Sequence, residues 1–66
     1  MPVPLTITWR EPRSGEADGL MVVAFPDGVA HARPCSAEMA QESAAGHFGR
    51  EVEPDVTPMG LVWTRP

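Results

Sequence analysis

The chain has 66 residues, at most one small domain beside the roughly 100 to 200 residues of an ordinary one. Its thirteen Leu, Ile, Val and Phe residues fall just under the roughly 20 % below which a highly charged chain is expected to be disordered, yet the formal net charge is only −4. Eight Pro and six Gly exclude a long-helix or coiled-coil protein, and a single Cys excludes an intrachain disulfide.

The first expected element is a strand. Val3, Leu5, Ile7 and Trp9 alternate with Pro4, Thr6, Thr8 and Arg10, the period of two that puts one face of a strand inside. Residues 11–19 gather Pro, Gly, Ser and charge without periodicity and read as a solvated loop. A second strand over 20–25 is apolar at every position, as expected when both faces are covered. Pro26-Asp27-Gly28 supply a turn, with Pro fixing φ and Gly accepting a positive φ, so residues 29–33 return as a third strand that Pro34 ends.

Ser36 is placed to accept a hydrogen bond from the first free amides of a helix, with Glu38 near its positive end. The helix is expected over 37–47. On its wheel Ala37, Ala40, Ala44 and Phe48 share a face, Glu38, Gln41 and Glu42 lie toward the other, and Gly46 and Gly49 bracket the exit. Residues 50–58 are acidic and twice interrupted by Pro, and read as an extended connection. Residues 59–65, with Leu61, Val62 and Trp63, read as the last strand. The order β-β-β-α-β predicts one α+β domain over 1–66, a three- to four-stranded, mostly antiparallel sheet with one short helix. One helix covers one face, so apolar surface on the other is left for a second chain.

Nine acidic residues against five Arg, with no basic cluster, make nucleic acid an improbable direct ligand. The longest apolar run, residues 20–25, is far short of the ~20 residues that cross a bilayer, and no signal-peptide pattern opens the chain. A soluble, cytoplasmic protein without membrane contact is the expectation, and the lone Cys35 agrees with a reducing compartment.

Cys35, His31 and His47 are the only set that suggests nucleophilic or metal chemistry. A thiolate is favoured at a helix N-terminus and an imidazole can act as base, but no orienting third group is identifiable. The spacing H-x3-C-x11-H lacks paired cysteines and a fourth zinc ligand, so neither a metal nor a cofactor is expected. Pro2 would become an N-terminal secondary amine if Met1 were removed, and a desolvated amine can act as base. The opening Met1-Pro2 before an alternating strand, with Gly46-His47-Phe48-Gly49, resembles the small tautomerases of the oxalocrotonate type. That resemblance implies Pro2 as base, Arg10 or Arg33 as substrate anchor, and a long helix after the first strand, where this chain instead has Pro12, Gly15 and Gly19.

Glu51, Glu53 and Asp55 alternate along the connection and are candidates to meet a basic partner, although such rows often only aid solubility. Trp9, Phe25, Met21 and Trp63 are candidates for interface anchors, with core packing as the competing role. The expected function is a non-catalytic interaction module, a subunit or homo-oligomeric accessory protein whose partner is another protein chain. The alternatives are an acidic inhibitor or nucleic-acid-mimic decoy, and a tautomerase-like enzyme.

Overall fold

Alternation governs the first strand only from Thr6 onward. The computed structural model describes residues 3–66, and in it β1 spans Thr6–Arg10, with Ile7 fully buried and Trp9 packed against the core. Upstream the phase shifts: the chain bends at Leu5, leaving Leu5 and Val3 exposed and Pro4 buried. The Leu5 amide bonds the Ala24 carbonyl at 2.8 Å while the Leu5 carbonyl accepts from the Arg65 amide at 3.0 Å, so the backbone here serves strands on both sides.

β2 (Gly19–Ala24) pairs antiparallel with β1, and β3 (Ala30–Cys35) pairs antiparallel with β2. Their hairpin turns on Pro26 and Asp27, with the Gly28 amide donating to the Phe25 carbonyl at 3.1 Å and the Val29 amide to Asp27 Oδ1 at 3.0 Å. β3 does not stop before Pro34 as its sequence suggests. The Phe25 amide bonds the Val29 carbonyl, and hydrogen-bonded pairs alternate along an antiparallel ladder, so Pro34 falls opposite Leu20 at a position whose N–H would face away from β2. Its missing donor breaks no ladder bond on this edge strand.

α1 (Ala37–Phe48) begins where the sequence places it: Ser36 Oγ accepts from the Met39 amide at 3.2 Å. It ends at Phe48, one residue later than expected, and is capped by Gly49, whose left-handed φ of 74° suits a residue without a Cβ. Ala40 and Ala44 are fully buried, and their small side chains let the helix lie close on the sheet. Residues 50–54 then lead into a strand that the sequence conceals, β4 (Asp55–Thr57), which forms a tight hairpin with β5 (Gly60–Thr64). Pro54 and Pro58 lie just outside the three paired residues, so neither interrupts the ladder.

β5 pairs with β1, closing a five-stranded antiparallel sheet in the order β3-β2-β1-β5-β4, one strand more than expected. The elements run β-β-β-α-β-β, a small α+β fold. Ile7, Met21, Val23, Cys35 and Trp63 from the sheet meet Ala40 and Ala44 from the helix in a single core. Full burial of one such aliphatic side chain contributes about 1.5–3 kcal/mol.

Candidate functional site

The residues singled out for chemistry are not brought together. His31 and His47 both meet Phe25 edge-on, with ring centroids at 5.9 and 6.1 Å. Cys35 lies four residues beyond His31 on the same strand, roughly 13 Å along it. Cys35 is buried, and that burial pushes its thiol above the ordinary range, although Arg33 opposes the effect. No group of three or more His, Cys, Asp or Glu able to hold a metal ion occurs among the described residues.

Pro2 lies outside the described residues. β1 is followed by its hairpin partner β2 and not by the helix that the tautomerase resemblance implies. Arg10 is already engaged: its Nη1 and Nη2 donate to the two oxygens of Glu16 at 2.8 and 3.2 Å, fastening the 11–18 loop to the end of β1. With the Arg13 amide also donating at 2.8 Å, the Glu16 carboxyl is held at a pKa of about 2, chiefly by the Arg10 hydrogen bonds. Arg33 is exposed on the edge strand.

The acidic row is divided. Glu51 and Glu53 are exposed to either side of half-buried Val52, which packs against the core, whereas Asp55 passes into β4. Of the four apolar candidates, Met21 and Trp63 are buried in the core, and Trp9 and Phe25 pack against it from the helix side. Two indole N–H groups fix that side. Trp9 Nε1 donates to the Cys35 carbonyl at 2.9 Å, and Trp63 Nε1 donates to Gln41 Oε1 at 3.0 Å. Gln41 in turn donates from Nε2 to the Val52 carbonyl at 3.1 Å, so a residue assigned to the helix's polar side holds the core to the connection.

The surface that stands open is the other face of the sheet. Registers place Pro34, Leu20, Arg10 and Gly60 in one row across it, and Ala32, Val22, Thr8, Val62 and Asp55 in the next. Of its side chains only Arg10 and Asp55 are charged, in a chain where charged residues are 21 %. Thr8, Leu20, Val22 and Val62 floor a concave apolar groove of about 740 Å³, walled by the turn at Thr57, Pro58 and Met59. Thr57 holds that wall upright: its Oγ1 donates to the Gly60 carbonyl at 3.1 Å and accepts from the Met59 amide at 3.2 Å. Met59 projects beside the groove, 82 % exposed.

Sequence reasoning named Trp9, Phe25, Met21 and Trp63 as interface candidates and not Leu20, Val22, Val62 or Met59. The available signal was the unbroken apolar run 20–25, of which alternate members must leave the helix side whenever one helix is all there is to cover the sheet. Comparison with known proteins yields no match to any family, curated protein or solved structure.

Proposed function

We propose that this protein is a non-catalytic interaction module, a cytoplasmic subunit or homo-oligomeric accessory protein of a larger assembly, that docks another protein chain on the open face of its sheet. The observation carrying this reading is the apolar groove over Thr8, Leu20, Val22 and Val62. A compact monomer of 7.1 kDa exposes about 4,100 Å². This chain exposes 4561 Å², an excess of about a tenth over the chain as a whole. Apolar, concave and nearly free of charge is the character of the central part of protein interfaces.

The test is site-specific cross-linking in the native host. A photoreactive residue at Val22 should capture a protein chain, while the same residue at Glu38, exposed on the helix, should not. Equal capture at both positions, or none at either, refutes the reading.

A further inference from the structure

We infer that residues 53–59, β4 with its flanks, form a strap that leaves the sheet as a unit while the rest of the fold stays closed, and that its opening removes one wall of the groove and bares the edge of β5.

Lack of burial is the first argument. β4 is an edge strand whose only neighbour in the sheet is β5, and none of its three residues belongs to the core or packs against it. Val56 lies opposite Leu61, yet Val56 is 83 % exposed while Leu61 packs against the core. The layer made by α1 therefore stops short of β4. Asp55 is exposed as well, and half-buried Thr57 uses its hydroxyl within its own turn. What holds the strap is backbone pairing, and segments held by exposed backbone bonds with few buried contacts are those that open first.

The two ends of the strap are the second argument. Val52 packs against the core and gives its carbonyl to Gln41 Nε2 at 3.1 Å, which fixes the chain just before residue 53. Gly60 fixes it just after residue 59, opposite Arg10: a Cβ there would overlap the Trp9 carbonyl, so this backbone is seated directly on β1. Between these anchors, and among the described residues, the one side chain of the strap that hydrogen-bonds is Thr57, and it bonds only across its own turn.

The direction of the backbone groups is the third. Hydrogen-bonded pairs alternate along a ladder, and the Arg65 amide bonds the Leu5 carbonyl, so Trp63 and Leu61 face β1 whereas Val62 and Gly60 face β4. Opening the strap therefore bares the amides of Val62 and Gly60 and leaves those of Leu61 and Trp63 paired. It also withdraws Thr57, Pro58 and Met59 from the side of the groove. Closed, the strap gives the groove its depth; open, it joins the groove floor to a free strand edge.

Native-state hydrogen exchange of the full chain, followed by NMR, reads this residue by residue. The protection factors of Asp55, Thr57 and Val62 should agree with one another and lie about a hundredfold or more below those of Leu61 and Trp63. They should also respond little to low denaturant, because opening the strap exposes little surface. Thr57→Val removes the hydroxyl that braces the turn, and should lower the protection of Asp55 and Val62 by about threefold further while Leu61 and Trp63 keep theirs. Protection of Val62 equal to that of Leu61, or a loss in Thr57→Val that Leu61 and Trp63 share in full, overturns the strap, since β4 would then open only with the whole fold. The measurement is made on the chain alone, so its outcome is independent of what Val22 captures in the host.

Discussion

Replacing Gln41 by Leu removes one side chain that serves two partners on opposite sides of it. Trp63 is fully buried, and Gln41 Oε1 is the acceptor for its Nε1–H at 3.0 Å. Without that acceptor the indole N–H is left in the core unpaired, at a cost of about 1–3 kcal/mol. The Val52 carbonyl also loses the Nε2 donor at 3.1 Å, a smaller penalty because Val52 is half-buried and water can replace the bond. Unfolding entropies near 2.1 cal/mol/K per residue make 1 kcal/mol worth about 7 °C in a chain of 66 residues. The melting temperature of Gln41→Leu should therefore fall by about 7–20 °C, measured by circular dichroism and indole fluorescence. Gln41→Glu keeps an oxygen for Trp63 while losing the donor to Val52, and should lose clearly less. In a Trp63→Phe background the acceptor has nothing to serve, so the cost of Gln41→Leu should shrink to the Val52 contribution. A melting point for Gln41→Leu within about 2 °C of the parent would refute the reasoning, because a buried, unpaired donor cannot be that cheap.

A Cβ at Gly19 would lie 2.5 and 2.6 Å from Cε2 and Cζ2 of Trp9 and would also meet the Arg10 carbonyl, so Gly19→Ala should displace the indole, break its bond to the Cys35 carbonyl and cost about 1–3 kcal/mol. Denaturant titration followed by Trp fluorescence checks it, and an unchanged midpoint sinks it. The Glu16 carboxyl should titrate near 2 in carboxyl-detected NMR and return toward 4.5 in Arg10→Gln. Because its folded pKa lies below the unfolded value, whatever Glu16 adds to stability is present above about 4.5 and lost as the pH falls toward 2. Cys35, buried and with its thiol pushed up, should react with a disulfide reagent only as fast as the chain opens; a fast, denaturant-independent reaction would show it to be accessible.

Where local chemistry decides the structure, the sequence is easily read. The Ser36 cap, the Pro26-Asp27 turn, the Ala40 and Ala44 face and the alternation of Ile7 and Trp9 each need only a few neighbouring residues, and each lies where expected. Legibility ends where a distant partner decides. Pro34 looks like a terminator until the ladder phase is known, since the same residue opposite Met21 or Gly19 would have removed a ladder bond. β4 is three residues between two prolines, too short for any period to show, and it exists because β5 offers a free edge. Polar Gln41 reads as a surface residue, because neither the buried N–H of Trp63 nor the carbonyl of Val52 is near it in sequence. The candidate site was missed for a related reason: the largest rings fill the core first in a chain with so few aliphatic residues, leaving the smaller Leu20, Val22 and Val62 on the open face.

The two rims of the sheet limit how such a chain can aggregate. On β3 the outward-facing backbone donors are confined to Ala30 and Ala32, because the next outward position is Pro34. Opposite, Leu61 gives its amide and carbonyl to β1, so on three-residue β4 only Val56 directs its own outward, between Pro54 and Pro58. A further strand would find two donors and three acceptors on β3 and the two backbone groups of Val56 on β4, short rows that limit the strand-by-strand growth that turns exposed sheets into fibrils.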